Sequence, residues 1–389
     1  MAILLSFSLI KQGKSFEMIS IHPLVHSWSR EQMLKSEQQR MWQMGGIILS
    51  CAIPQCVTSQ DYAFHQLIFP HIKAHQAYGS EIGLTEEYYD DKWVNFALVI
   101  KENGDWNNAE QLECQVMDMR MKFLGKEHLF TYTSMENLAV TYWNLGKWNE
   151  AEQLQIQVMD MRKKLLGAEH LDTLTSMANL AATYWNQGRW VEAEQLEVQV
   201  MDITKKLLGA EHSDTLTSMA NLAATYWNQG RWDEAEQLEV QVMDSSKKLL
   251  GAEHPDTLIS MANLAVTYWN QGKWNEAEQL QVQVMDIRKR QFGIEHPDTL
   301  RNMANLAATY QHQGRWIEAE QLKIQVMDMR KKLLGVGHPD TLISMVNLAV
   351  TYWNQGKWDE AEQLEVQVME MSTNLLGPEH PDTLRSMAN

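Results

Sequence analysis

Along most of this chain, apolar and polar positions recur with the step of an α-helix. Between residues 214 and 251, Leu216, Met219, Leu222, Ala223 and Tyr226 fall on one helical face. Asp214 stands where an N-cap belongs, and Asn228-Gln229-Gly230 supplies the stop, with glycine giving the left-handed turn. A second run starts near Trp232 and keeps its apolar step through Ala235, Leu238, Val242, Met243 and Leu249 or Leu250, until Gly251 ends it. The loop Ala252-Glu253-His254-Pro255 leads to Asp256, the next N-cap, because proline cannot continue a helix. The pattern predicts a helical hairpin.

The hairpin repeats. Trp106, Trp148, Trp190, Trp232, Trp274, Trp316 and Trp358 are each 42 residues apart, and Asn95, Asn137, Asn179, Asn221, Asn263, Asn305, Asn347 and Asn389 keep the same step. A period of this size predicts an all-α solenoid in which each unit buries its apolar face against its neighbours. Seven repeats and a truncated eighth fill residues 89–389. The first is degenerate but keeps Trp93, Asn95, Phe96, Ala97, Ile100 and Gly104 in register, as a capping unit would. The chain stops at Asn389, halfway along a first helix, which reads as a truncation.

Residues before 89 follow another pattern. Leu5–Ile10 and Phe16–Ile21 alternate around Lys11-Gln12-Gly13-Lys14, as a β-hairpin does. His22-Pro23 then opens a helix through Leu24, Val25, Trp28, Met33 and Leu34, and further helices are expected at about 40–53 and 59–78. The sequence thus divides into residues 1–40, a helical linker region at 41–88 and the array.

Leu222-Ala223, Tyr226, Gly230, Ala235 and Val242 have the spacing of the tetratricopeptide repeat, which they resemble. The 42-residue length and the linker L-L-G-x-E-H-P-D-T-L are similar to the kinesin-light-chain subclass over about residues 90–389. The resemblance implies a right-handed α-solenoid with a concave peptide-binding groove. Ile21-His22-Pro23-Leu24-Val25-His26-Ser27-Trp28 resembles the end of the winged-helix subdomain of fungal NB-ARC and related STAND signalling proteins. In those relatives the histidine of an M-H-D motif contacts the nucleotide's phosphate. His22 matches it, but Pro23 replaces the aspartate, so His22 is a nucleotide contact only if a nucleotide-binding domain lies upstream.

Charge narrows the class. The formal net charge is −17, which disfavours nucleic acid as a partner. One repeat, Glu211 to Ala252, carries seven acidic and three basic side chains, so the acidity is spread along the array as on a solvated face. Cys51, Cys56 and Cys114 make no disulfide framework, which points to a reducing, cytoplasmic setting. The apolar start lacks the basic flank of a signal peptide, and no 18-residue apolar run predicts a membrane span.

The candidate chemistry lies on one stripe. With Leu216 as position 1 of a first helix, positions 2, 6, 9 and 13 share a face, which lines the groove in the family the repeats resemble. Position 6 is the asparagine ladder Asn137, Asn179, Asn221, Asn263, Asn305 and Asn347. Position 13 is Asn144, Asn186, Asn228, Asn270, His312 and Asn354. Asparagine amides can pair with the backbone of an extended peptide, the role position 6 has in kinesin light chains, or can hold repeat-to-repeat register. Position 2 varies as Thr133, Thr175, Thr217, Ile259, Arg301, Ile343 and Arg385. Arg301, Asn302, Gln311 and His312 set one repeat apart, and Arg301 could pair with an acidic ligand side chain.

Other features have structural readings. The tryptophans at 106–358 are expected in the core, where loss of one would cost roughly 3–5 kcal/mol. Trp143, Trp185, Trp227, Trp269 and Trp353 lie nearer the groove edge, where tryptophan is a favoured anchor. The linker histidines His128, His170, His212, His254, His296, His338 and His380 are too far apart to share an ion and are read as loop and cap residues. Gly13-Lys14-Ser15 is not a phosphate loop, since Ser8 stands where its first glycine belongs. The reading is a non-enzymatic scaffold, without cofactor or metal, that binds a protein or extended peptide. It would be the sensor end of a STAND-like protein. The alternatives are a kinesin-light-chain-type cargo adaptor or a fragment of a nucleotide-hydrolysing switch.

Overall fold

The computed structural model describes residues 10–12, 19–21, 32–53, 59–81 and 90–376. It divides into two compact units, Met1–Ala168 and Glu169–Asn389.

In the first unit, β1 (Ile10–Gln12) and β2 (Ile19–Ile21) pair antiparallel, with Ile10 opposite Ile21 and Lys11 opposite Ser20. A hairpin is therefore present, but Lys11 and Gln12 belong to the ladder and not to the turn. Alternation alone does not mark where a ladder stops. Most of the helix expected from His22 lies outside the described residues. At its far end Leu34 is not helical but is the N-cap of α1 (Lys35–Ala52), where its backbone N–H donates to the Glu37 carboxylate at 3.0 Å. α2 (Ser59–Glu81) and α3 (Asp90–Glu102) follow, and the two linker-region helices agree with the apolar spacing. Trp42, Ile68, Ile72, Phe96 and Ile100 form the shared core of α1, α2 and α3. Gly79 admits the Trp42 ring onto α2, since a Cβ there would lie 2.4 Å from it. The repeats then run as α3 with α4 (Trp106–Leu124), and α5 (Leu129–Asn144) with α6 (Trp148–Leu166).

Among the described residues, the second unit comprises five helical hairpins. The first helices are α7 (Leu171–Asn186), α9 (Ser213–Asn228), α11 (Pro255–Asn270), α13 (Pro297–His312) and α15 (Pro339–Asn354). Their partners are α8 (Trp190–Leu208), α10 (Trp232–Leu250), α12 (Trp274–Phe292), α14 (Trp316–Leu334) and α16 (Trp358–Leu376). Within this unit successive helices pack on one another. A typical core cluster joins three helices: Leu216 and Met219 of α9, Val242 of α10 and Met201 of α8. Each second helix buries one alanine of its first turn completely, such as Ala235 or Ala277.

The caps differ in detail from the sequence expectation. Asp214 and its equivalents are not N-caps. The cap is the histidine two residues earlier, whose Nδ1 accepts the backbone N–H of Asp214, Asp256, Asp298 and Asp340 at 3.2 Å. His128 and His170 do the same, so six linker histidines cap helices; His380 lies outside the described residues. At the other end of α9, Arg231 N–H reaches Tyr226 O and Gly230 N–H reaches Trp227 O. This Schellman pair places Gly230 at φ 75°, a conformation that glycine adopts without strain.

The tryptophans at 42-residue intervals are not core residues. Each is the first residue of a second helix, and Trp190, Trp232 and Trp274 are 36–37% exposed, with Trp358 at 52%. A first-turn residue points back over the turn before it, so the small alanine three residues later takes the inter-helix contact. Trp232→Ala should therefore cost about 1–2 kcal/mol and not the 3–5 of a buried tryptophan, as denaturant unfolding of the variant would measure.

Candidate groove and its floor

The first-helix stripe lies open. Asn221, Asn263, Asn305 and Asn347 are exposed, Asn137 and Asn179 half-buried, and position 2 is exposed at Thr217, Ile259, Arg301 and Ile343. Thr217, Ala224, Asn228, Ile259, Asn263 and Val266 line one cavity of about 550 Å³ between α9, α10 and α11. Thr175, Thr217 and Asn221 line a second, of about 200 Å³.

The two asparagine sets differ. No position-6 amide from Asn137 to Asn347 makes a hydrogen bond among the described residues. Register is held elsewhere, by ion pairs between successive repeats such as Arg231–Glu194 at 2.8 Å, Lys273–Glu236 at 2.6 Å and Arg315–Glu278 at 2.7 Å. Each is worth little alone, but the ladder repeats. The position-13 amides of Asn186, Asn228 and Asn270 instead donate to the carbonyl one turn back in their own helix, at 2.7–2.8 Å. They thus add a second donor to a carbonyl already bonded within the helix, as Asn144 and Asn354 also do. Asn95 shows what the ladder can do when covered: in α3 its amide donates to the carbonyl and hydroxyl of Ser50 in α1, at 3.3 and 3.0 Å.

The divergent repeat is accounted for in part by internal pairing. Arg301 donates to Asp298 of its own helix at 2.8 Å while remaining exposed. His312 is exposed, stacked on Trp274 and edge-on to Trp269. Gln311 accepts from Lys323, which also donates to Asn347 O and Thr351 Oγ1. Burial pushes the Lys323 amine down to about 8. His22 lies outside the described residues.

Lys323 belongs to a column that the apolar pattern conceals. Counting each second helix from its tryptophan, position 8 is Glu113, Gln155, Glu197, Glu239, Gln281 and Lys323, all buried, and Glu365, half-buried. Glu113 is paired with Lys101 and Thr141, and Gln281 with Thr309. Glu197 and Glu239 each leave a buried Oε2 without a partner, and the indole N–H groups of Trp185 and Trp227 are likewise buried and unpaired. Burial pushes the Glu239 carboxyl up to about 7, opposed by the Thr267 hydroxyl and aided by Glu236. Glu239 lines the larger cavity and Glu197 the smaller. The column keeps the 42-residue step, so its variation was readable, but a polar residue among the polar positions of A-E-Q-L-E-V-Q-V resembles the outer face.

Among the described residues, no group of three or more His, Cys, Asp or Glu is placed to hold a metal ion. Nor is any helix there long and apolar enough to cross a membrane.

The tetratricopeptide-repeat family model matches in overlapping copies from residue 90 to residue 374. Among curated proteins none matches. The nearly identical TPR-like repeats of a Podosopora anserina kinesin-light-chain protein are 36% identical, over 52% of this chain and 95% of that one, with a TM-score of 0.49. BtubC from P. vanneervenii is 19% identical over 60% of this chain and 94% of its own, at TM-score 0.52. A STAND protein with a tetratricopeptide repeat sensor, from Pyrococcus horikoshii, aligns with 96% of this chain and 58% of its own, at 14% identity and TM-score 0.58. The last two likenesses speak to the fold alone, and no catalytic family is indicated. The helical-hairpin array, its framework residues and the matched span agree: the chain belongs to the tetratricopeptide-repeat family.

Proposed function

We propose that this chain is a non-enzymatic, cytoplasmic scaffold that takes an extended peptide or protein segment along the asparagine stripe of its first helices. The observation that carries this is the state of the position-6 amides: they are free of internal hydrogen bonds while other groups keep the repeats in register. Asn137, Asn179, Asn221, Asn263, Asn305 and Asn347 would pair with ligand backbone, and Arg301 and His312 would tune side-chain preference. Asn186, Asn228 and Asn270, which each commit one amide hydrogen to their own helix, would offer their carbonyl oxygens and the second N–H. The sequence partition at residues 40 and 88 belongs to the same proposal, with the array as the sensor part of a STAND-like signalling protein.

The test is a peptide selected against the chain from a random display library. Asn221→Ala with Asn263→Ala should weaken that peptide about 10–30-fold, as the loss of two hydrogen bonds to ligand predicts, with the circular dichroism unchanged. An unaltered affinity would overturn the groove assignment.

A further inference from the structure

In three repeats an arginine reaches the start of the next first helix: Arg120 donates to Phe130 O, and Arg288 and Arg330 make the equivalent contact. At position 15 of the second helices the chain places Arg120, Arg162, Thr204, Ser246, Arg288, Arg330 and Ser372. Arg288 donates to Asp298 O at 3.3 Å, and Arg330 donates to Asp340 O at 3.1 Å. Ser246 is the short residue at this position in α10, and both it and Asp256, the counterpart of Asp298 and Asp340, line the cavity of about 550 Å³. Thr204 and Asp214 line the smaller cavity, so the same exchange opens the neighbouring repeat. In both copies the floor carries a buried glutamate with an unpartnered oxygen, whereas the repeat with Arg288 carries the neutral Gln281, whose oxygen accepts from Thr309. In α8 and α10 loss of the chain's own arginine and gain of an unneutralised carboxylate thus occur together, whereas α16 pairs Ser372 with the half-buried Glu365.

A buried anion without a partner is costly, and a cation supplied by a ligand would relieve that cost. Trp185 and Trp227 also line the cavity, with Ile259 among its apolar contacts. Aromatic faces and an apolar stem suit a guanidinium better than a compact, strongly hydrated ammonium. We propose that this cavity is a specificity pocket for an arginine side chain of the bound peptide, its guanidinium pairing with Glu239 through the opening that Ser246 leaves. The proposal rests on the groove reading for the peptide, but not for the pocket's chemistry.

The pocket can be probed without a peptide. Nα-acetyl-arginine methylamide, titrated to about 20 mM, should shift the Trp227 indole N–H resonance saturably, within reach of a millimolar Kd. The uncharged citrulline analogue should bind at least about tenfold more weakly, a difference of about 1.4 kcal/mol. Ser246→Arg, which restores the side chain found at Arg288, and Glu239→Gln, which restores the residue found at Gln281, should each abolish the shift in a folded protein. Absence of any shift, equal binding of citrulline, tighter binding of the lysine analogue, or a shift that survives Ser246→Arg would each overturn the proposal. Asn305→Ala, at a residue outside the cavity lining, separates the two readings. If the groove reading holds, the variant weakens the library peptide and leaves the arginine compound bound. If the peptide is unaffected while the compound binds, the groove reading fails and the pocket stands.

Discussion

Glu239→Gln is expected to stabilise the second unit by about 2–3 kcal/mol at about pH 8 and to change little at about pH 4. The carboxyl is raised from its ordinary 4.5 to about 7, chiefly by burial. An unfolded chain would release this proton near pH 4.5, while the folded one holds it until near pH 7. The unfolded state therefore binds fewer protons within that window, and wild-type stability falls as pH rises through it. Below the window the acid is neutral in both states and nothing is lost. Above it the folded protein carries a desolvated anion whose Oε2 has no partner. Glutamine removes the charge and keeps an amide oxygen for a neighbouring threonine, as Gln281 does for Thr309 at 2.7 Å. Urea unfolding of both proteins across this range checks the prediction. A constant difference at every pH would mean that Glu239 is not titrating in the folded state.

The same substitution is predicted to gain stability and to lose the arginine probe. That conjunction is what a binding site held at a cost to the fold should show, because function often retains groups that packing alone would replace. Lys323 occupies the same column but answers its own burial with three internal hydrogen bonds.

Much of this was legible in the residues. The step from Leu216 to Tyr226 and the breaks at Gly230 and Gly251 mark the helices because apolar periodicity and glycine stops report local physics directly. The linker histidines read only as loop and cap residues, and the sequence pattern puts the N-cap itself two residues too late, on Asp214. The tryptophan interval was less informative about burial: it shows that Trp232 has a fixed place in the repeat, not which way its ring faces. The position of Glu239 was harder still. A helix packed on both sides carries buried positions beyond its main apolar stripe, and only three-dimensional packing tells a buried glutamate from the solvated ones around it. The division at Ala168 left no mark in the pattern, since the repeats on either side share one framework. Likewise, that Asn221 is free and Asn228 bonded follows from where each amide meets its own helix, a matter of geometry.

Phe96→Ala should have a large effect in the first unit, destabilising it by about 3–5 kcal/mol. Phe96 is fully buried at the meeting of α1, α2 and α3. Its ring stands edge-on to His75 of α2 at 5.6 Å and to Trp93 of α3 at 5.8 Å. His75 in turn stacks on Trp42 at 4.8 Å, and these two residues exchange hydrogen bonds through each other's carbonyls at 2.9 Å. Removing the phenyl ring therefore undercuts an aromatic chain that ties both preceding helices to the first repeat. Gly79 lets Trp42 fit closely, so little slack remains for neighbours to close the void. Hydrogen exchange should show α1 and α2 losing protection first, because α4 to α6 keep their own cluster around Tyr132, Met135 and Val158. Release of α1 would also free the Asn95 amide from Ser50, returning that position to the unbonded state of Asn137. Equal loss of protection in α5 and α6 would instead mean that the unit unfolds as a whole and that the N-terminal helices are not a separable attachment to the array.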